Sequence, residues 1–266
     1  MSNPKVSVCI GVYNREKYLV ESLESIFNQN YSNMEVLISD NSSTDSSVKI
    51  IKGVIANKTI NNELYVQSEN IGPDENYKFL VSKAKNSDYI ALFHSDDVYD
   101  QKIIAKSVEV FNENKTKDVA IVLSLSNKSE AKDDKFSIFT YKQTLKHLLL
   151  KRDNPFNCPT AVWKKDVVLA HDFENRYPEA NDLLGYIKVL RQNKTIIVIN
   201  EVLHFYRIHE GQDSAIQNKK FRYSESGVYK VARDFIKQDR IISLYPLLFL
   251  SFLYEKLRYL KRFIRR

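Results

Sequence analysis

The 266-residue chain has only six glycines, and none of them builds G-x-G-x-x-G or G-x-x-x-x-G-K-[ST]. The dinucleotide-binding fingerprint and the P-loop are therefore missing, and with them the glycine-rich backbone cradles those sites use for phosphate. Cysteine is scarcer still. Cys9 and Cys158 are too few for a disulfide or zinc framework, and Cys9, inside an apolar strand pattern, reads as a buried inert thiol. The opening MSNPKVSV lacks a charged region followed by an apolar one, so no signal peptide is expected and a reducing cytoplasm fits. No internal repeat, low-complexity segment or clear linker breaks the chain. The apolar piece LYPLLFLSFLY (244–254) is too short to span a bilayer.

What is present describes a soluble globular protein. The chain is 43% hydrophobic and 27% charged, with 16 Tyr and 14 Phe, enough for a sizeable core. The net charge of +7 raises nucleic acid as a partner. Its distribution argues otherwise. Residues 255–266, EKLRYLKRFIRR, hold six Lys/Arg against one Glu, while the other 254 residues carry 34 basic against 32 acidic residues. The basic character belongs to the tail.

The first half alternates strand and helix patterns. VSVCIGVY (6–13), EVLISD (35–40), ELYVQS (63–68), DYIALF (88–93) and VAIVLSL (119–125) read as strands. Helices are expected at 15–29, 46–55, 75–86 and 101–114. Repeated βα units imply an α/β fold with a mostly parallel central sheet and helices on both faces. Residues 126–139 read as a loop. Helices follow near 140–151 and 182–192, strands at 195–200 and 202–208, and helices again near 223–238 and 244–265. Ligands of such sheets bind beyond the carboxyl ends of the strands. Those ends carry Tyr13-Asn14, Asp40-Asn41 and, in FHSDDVYD, Asp96-Asp97, so three polar clusters converge on one rim.

Each cluster has a chemical reading and a plain one. Adjacent carboxylates repel and are costly to dehydrate, so Asp96 and Asp97 suit a hard divalent cation; alternatively one of them caps the next helix. Asp40 can accept hydrogen bonds from a base or ribose, or help cap the helix at 46–55, where Asp45 is the better cap. Tyr13 can stack on a flat base or fill a strand-end core position.

VSVCIGVYNREKYLVESLESIFNQNYSNMEVLISDNSSTD resembles the opening of the family 2 glycosyltransferases, which have the GT-A fold. Their pattern runs V-S-V-I-I-P-T-Y-N, a helix ending in Q-x-Y-x-N-x-E, a strand, and D-x-S-x-D. NIGPDENYKFLVSKAKNSDYIALFHSDD is similar to that family's N-x-G loop and aspartate metal motif, and YRIHEGQDS (206–214) to a recurrent Y-R-x-H segment. The resemblance covers roughly residues 5–215. It implies a catalytic domain over 1–215 followed by a helical C-terminal extension over 216–266.

The resemblance also implies roles. Asp40 would contact the base of a nucleoside-diphosphate sugar, with Tyr13 and Asn70 nearby. Asp96 and Asp97 would hold Mn²⁺ or Mg²⁺ on the diphosphate, with His209 reaching the metal or the phosphates. Asp182 would be the general base of an inverting transfer, with Glu179 as its alternate. The chain departs from the pattern at several positions. His94 stands first in the metal motif and Gly11 where Pro or Thr is common. Asn181 precedes the base, and NIGPDEN lacks an Arg, which leaves phosphate neutralisation to the metal, His209 and Arg207. NIGPDENY is similar to members that transfer deoxysugars in O-antigen assembly. A hexosyl- or deoxyhexosyltransferase of surface-polysaccharide synthesis is therefore expected, acting on a glycan or lipid-linked acceptor.

The tail adds a location. Phe249, Leu250, Leu253, Leu257, Leu260 and Ile264 share one helical stripe, with Arg258, Lys261, Arg262, Arg265 and Arg266 mostly opposite. A basic amphipathic helix of this kind suits an anionic membrane surface, here the inner face of the cell membrane, and the same stripe suits a dimer contact; monomer and homodimer both stay open. Two rivals remain. A nucleotidylyltransferase needs a glycine-rich basic loop after the first strand, which GVYNRE is not. A basic nucleic-acid or membrane-binding module leaves the aspartates at the element ends without a purpose.

Overall fold

A computed structural model describes residues 3–130, 133–170, 176–177, 180–210, 212 and 226–264, with side chains described as far as Arg258. Its strands are β1 (Val6–Val12), β2 (Met34–Asp40), β3 (Asn61–Val66), β4 (Tyr89–His94), β5 (Val98–Tyr99), β6 (Val119–Ser126), β7 (Phe136–Phe139), β8 (Val162–Lys164) and β9 (Thr195–Phe205). Its helices are α1 (Leu19–Phe27), α2 (Ser47–Ile55), α3 (Pro73–Lys83), α4 (Ile103–Glu113), α5 (Tyr141–Leu150), α6 (Lys165–Leu169), α7 (Asn181–Arg191), α8 (Gly227–Gln238) and α9 (Tyr245–Ile264). Packing divides the chain into two compact units. The first takes residues 1–138, 157–173 and 195–207, the second 139–156, 174–194 and 208–266. The helical extension expected for 216–266 thus shares its unit with two segments from mid-chain.

The first unit is built on one sheet in the order β3-β2-β1-β4-β8-β6-β9-β5, with β7 also paired to β9. β3, β2, β1 and β4 run parallel, as do β6 and β9. β8 is antiparallel to β4 and β6, and β5 is antiparallel to β9. The expected mostly parallel sheet with flanking helices is present. β1 and β2 are apolar along most of their length because both faces are covered; in β1 every residue but Gly11 is buried, and in β2 all seven are. α1 lays Leu19, Leu23, Ile26 and Phe27 into the core at helical spacing. Each such side chain contributes roughly 1.5–3 kcal/mol on burial.

Three expectations need correction. The helix expected from residue 15 begins at Leu19, because 15–18 form hydrogen bonds with the loop after β2 and with their own turn. The loop expected over 126–139 contains β7. The two strands expected at 195–200 and 202–208 are one strand, β9. The polar pair Asn200-Glu201 looks like a turn, yet the backbone stays extended. Asn200 is held by Ser137 Oγ (2.9 Å), Asp134 O (2.8 Å) and Lys135 O (3.1 Å), and shifts of register against β6 absorb the irregularity.

The second unit is helical. α5 packs against α7, α8 and α9, and α7 against α8. Leu145, Leu148, Leu183, Ile187, Leu190, Val231 and Phe235 are buried. Phenol hydroxyls close it at two points: Tyr141 donates to Asp239 and Tyr177 to Asp234, each over 2.6 Å.

Candidate active site at the strand ends

Val12 of β1 is in register with Asp40 of β2, and Gly11 with His94 of β4. The three polar strand ends therefore lie side by side on one rim, as the sequence implies. The chain runs from β1 outward to β2 and β3 on one side, while β4 adds on the other. β1 is thus the switch point of the sheet, where a crevice opens. α3 packs close above it. A Cβ on Gly11 would meet Asn76 Nδ2 at 3.3 Å and the Tyr77 ring at 3.4 Å, which accounts for glycine there. Asn76 is fastened to Ser39 by two hydrogen bonds (2.6 and 3.0 Å), and Tyr77 donates to Phe93 O (2.8 Å).

The loops after β1 and β2 are laced together. Backbone N–H groups of Asn14 and Arg15 donate to Ser43 Oγ and Ser47 Oγ (both 2.9 Å). Asn14 Oδ1 accepts from Thr44 N (2.9 Å), and Ser46 N donates to Glu16 Oε2 (3.0 Å). Ser46 occupies the N-cap position of α2; Asp45, just before it, accepts from Ser47 N (2.9 Å), the first helical residue, and also from Glu16 N (3.0 Å). Partial burial pushes its carboxyl upward, and these donors outweigh that, so its pKa lies below the usual carboxylate range. Tyr13 projects from this frame, 41% exposed.

Asp40 is 0% exposed. Its Oδ1 accepts from Ser43 N (2.8 Å), a turn in the loop before α2 and not a cap of that helix, which starts at Ser47. Its Oδ2 has no hydrogen-bond partner among the described residues. Next to it, Asn41 donates to Asn70 Oδ1 (2.9 Å) and accepts from Ile71 N (2.9 Å), and Asn70 Oδ1 also accepts from Gly72 N (2.9 Å). Asn70 therefore organises the NIGPDEN loop, which enters α3 through Gly72 at φ +83°, a conformation glycine adopts without penalty.

The turn after β4 carries His94, Asp96 and Asp97, whose ligand atoms lie within 4.8 Å of one another. The two carboxylates differ. Asp96 is partly exposed and accepts from Arg15 Nε (3.0 Å), while Arg15 also donates to Tyr13 O (3.0 Å). Asp97 is buried. Its Oδ1 accepts from the Arg207 backbone N–H (3.0 Å). Its Oδ2 lies 3.0 Å from His204 Nε2 and 4.0 Å from His94 Nδ1. The His204 contact has the separation of an ion pair but not the direction of a hydrogen bond. Asn157 Nδ2 donates to His204 Nδ1 (3.1 Å), which leaves the remaining ring proton on Nε2, toward Asp97. Burial pushes the Asp97 pKa up; His204, His94 and the Arg207 N–H more than offset it, and the net shift is downward. Lys128 stands over the Tyr206 ring at 3.6 Å and feels the Asp97 charge. Two carboxylates and an imidazole so close together fit a divalent cation.

The other expected residues make contacts of their own. The Arg207 guanidinium pairs with Glu21 and lies 5.6 Å from the Tyr18 ring, so its contribution to the cluster is its backbone N–H. The histidine of the cluster is His94, which the sequence marked only as a departure from the motif. His209 belongs to the second unit, where its backbone N–H donates to Gln212 Oε1 (2.6 Å). Asp182 also belongs to that unit. It sits in the first turn of α7 and accepts from Asn154 Nδ2 (3.0 Å). Glu179 lies outside the described residues. Arg15 and His204 escaped the sequence reading. Arg15 looked like part of a helix, and His204 like an ordinary strand residue.

A sequence profile described as glycosyl transferase family 2 matches residues 7–170. An uncharacterized glycosyltransferase of Haemophilus influenzae is 27% identical over 222 residues, which are 82% of this chain and 84% of that protein. The abequosyltransferase RfbV of Salmonella typhimurium is 44% identical over 94 residues, 35% of this chain and 28% of RfbV. Among solved structures, Staphylococcus aureus TarS 1-349 in complex with UDP-GlcNAc superposes with a TM-score of 0.64 at 20% identity, covering 79% of this chain and 60% of that one. The mannosyltransferase PcManGT from Pyrobaculum calidifontis, in complex with GDP-Man and Mn²⁺, gives 0.64 at 13% identity, covering 97% and 88%.

Proposed function

The chain belongs to glycosyl transferase family 2, and we propose that it moves a hexose or deoxyhexose from a nucleoside diphosphate to a hydroxyl of a glycan acceptor, lipid-linked, during bacterial surface-polysaccharide synthesis. The likeness to the abequosyltransferase RfbV supports a deoxysugar. Family membership sets aside the nucleotidylyltransferase and the non-catalytic module. The fold shared with TarS and PcManGT supports the GT-A assignment.

One observation carries the donor reading. A fully buried carboxylate oxygen without a donor is costly, by about 1–3 kcal/mol or more, and Asp40 Oδ2 is such an oxygen at the rim of the switch point. It fits the ring N–H of uracil, thymine or guanine, with Tyr13 alongside to stack on the base. Because solvent does not reach Oδ2, a base that binds there displaces the groups covering it, and binding is coupled to a local rearrangement.

Asp96, with His94 and Asp97, would hold Mn²⁺ or Mg²⁺, and the cation would supply counter-charge for the departing diphosphate. His204 and the Arg207 N–H fix Asp97. His209 is proposed as a diphosphate contact on the Y-R-x-H motif alone. Asp182 takes the proton of the acceptor hydroxyl; that oxygen bonds to the anomeric carbon as the bond from carbon to phosphate oxygen breaks, and the configuration inverts. Calorimetric titration with UDP, GDP, CDP and dTDP, each with Mn²⁺ and with EDTA, tests the reading. Metal-dependent binding of one nucleotide carrying a ring N–H supports it. Equal binding of CDP, or no nucleotide binding by folded protein, overturns the role of Asp40.

A further inference from the structure

Helix α9 is amphipathic the wrong way round for a helix that simply completes a core. Among its described residues the buried side chains are Leu248, Ser251 and Glu255, which recur at three- and four-residue spacing and form one face. Two of the three are polar. Glu255 is held there by Arg258 (2.7 Å) and by the Ser226 N–H (3.4 Å). The opposite side carries Phe249, Leu250, Leu253 and Leu257, between 42% and 61% exposed. Tyr245, Phe252 and Tyr254 widen the stripe, and Ile242, just before the helix, is 74% exposed. Leu260 and Ile264 continue the same spacing in the sequence.

An apolar face of this extent on the outside of a helix needs an occupant. Charge indicates which. Between residues 241 and 266 the single acidic residue is Glu255, against six Lys/Arg, and Glu255 is buried. Around the stripe, Lys256 Nζ stands 5.3 Å from the Phe252 ring and the Arg152 guanidinium 3.9 Å from the Tyr254 ring. The surface is therefore apolar in the middle and cationic at its edge and end. Pairing two copies through it would offer these Lys/Arg no acidic partner from the same helix, whose one Glu is buried. An anionic bilayer satisfies both features, with the apolar face entering the headgroup–acyl boundary and the Lys/Arg side chains meeting lipid phosphates. No helix among the described residues is long and apolar enough to cross a membrane, which leaves the in-plane arrangement.

We propose that α9 is an in-plane docking helix for an anionic lipid surface, with Phe249, Leu250, Leu253 and Leu257 as the inserted side chains. The test is co-sedimentation of the full chain with vesicles of phosphatidylcholine alone and of phosphatidylcholine mixed with phosphatidylglycerol. The protein is expected to pellet with the mixed vesicles and to be released by salt. Leu253→Glu with Leu257→Glu is expected to lower the bound fraction at least about tenfold, with circular dichroism unchanged since both side chains already face solvent. Lys261→Gln with Arg262→Gln changes charge without touching the described packing and is expected to weaken binding to the mixed vesicles. Protein that stays in the supernatant at low salt overturns the proposal. So does equal pelleting with both vesicle types, or a dimer in light scattering that the double leucine variant splits, which would give the face to a second copy. The assay contains no nucleotide, so its failure leaves the donor reading untouched, and failed nucleotide binding leaves this one untouched.

Discussion

Two buried carboxylates stand at the ends of the strands on either side of β1, and the protein treats them differently. Asp97 is surrounded by its own partners: the Arg207 N–H on one oxygen, His204 and His94 toward the other. Asp40 is just as buried, and in both residues Oδ2 accepts no hydrogen bond among the described residues; the difference is that Asp97 Oδ2 faces two imidazoles, while Asp40 is served by Ser43 N on Oδ1. Burial of a charge is tolerated where the fold supplies compensation. At Asp97 the compensation is built in, so its first role is to hold the β4 turn and present Asp96. At Asp40 compensation is half missing, which is what a site reserved for a ligand's N–H group looks like. A shared rim thus conceals a difference between a carboxylate faced by two imidazoles and one held by a single backbone N–H.

The largest effects should fall outside the buried pair. Asp96→Asn, or EDTA, is expected to lower sugar transfer by about 10³-fold or more, since it removes the most exposed carboxylate of the cluster and with it charge stabilisation of the leaving group. Release of nucleoside diphosphate from the donor that binds is the readout. Asp182→Asn should cost about 10²–10⁴-fold in turnover while nucleotide affinity stays as in the native protein; a loss of affinity instead would remove Asp182 from the base role.

The buried pair is tested by stability. Asp97→Ala should lower stability by about 2–3 kcal/mol, read by thermal or urea unfolding, because it leaves the Arg207 N–H without its acceptor and the buried His204 Nε2–H without the carboxylate it faces. Asp40→Ala should cost only about 1 kcal/mol, the net value of one hydrogen bond, and should instead weaken nucleotide binding. If the two substitutions destabilise equally, the contrast between them is false.

The smallest effect belongs to the frame around them. Asp45→Ala should cost about 1 kcal/mol at neutral pH. The folded pKa of Asp45 is depressed, so in acid the unfolded chain binds the proton more readily than the folded one. Its contribution is therefore complete above the ordinary carboxylate pKa and is lost as pH falls through the depressed folded value. Urea midpoints for the two proteins should converge toward low pH.

Much of this was legible in the residues. β1, β2 and β4 are short apolar runs that end in polar pairs, and a parallel sheet aligns such ends whatever else the fold does. Asp40, Asp96 and Asp97 could be picked out for that reason. Arg15 could not, because YNREKYLVESL has helical spacing from its start; only the facing loop at 43–47 shows why its backbone leaves the helix and its side chain reaches Asp96. His204 was hidden for the converse reason. In VLHFY it has no local mark, and it acquires a role only when β9 lies beside β6 and Asn157 fixes its ring from across the chain. For α9, periodicity revealed two unlike faces but not which of them meets the protein.

By itself, then, the sequence determined the alternation of elements, the polar rim and the family, because apolar period and strand-end composition act over a few residues. Tertiary structure alone decided which buried carboxylate faces imidazoles, which histidine stands beside Asp96 and Asp97, and that α9 turns the described part of its apolar side outward. Each of those depends on groups brought together from distant parts of the chain, where burial and hydrogen-bond geometry choose among partners that local pattern cannot rank.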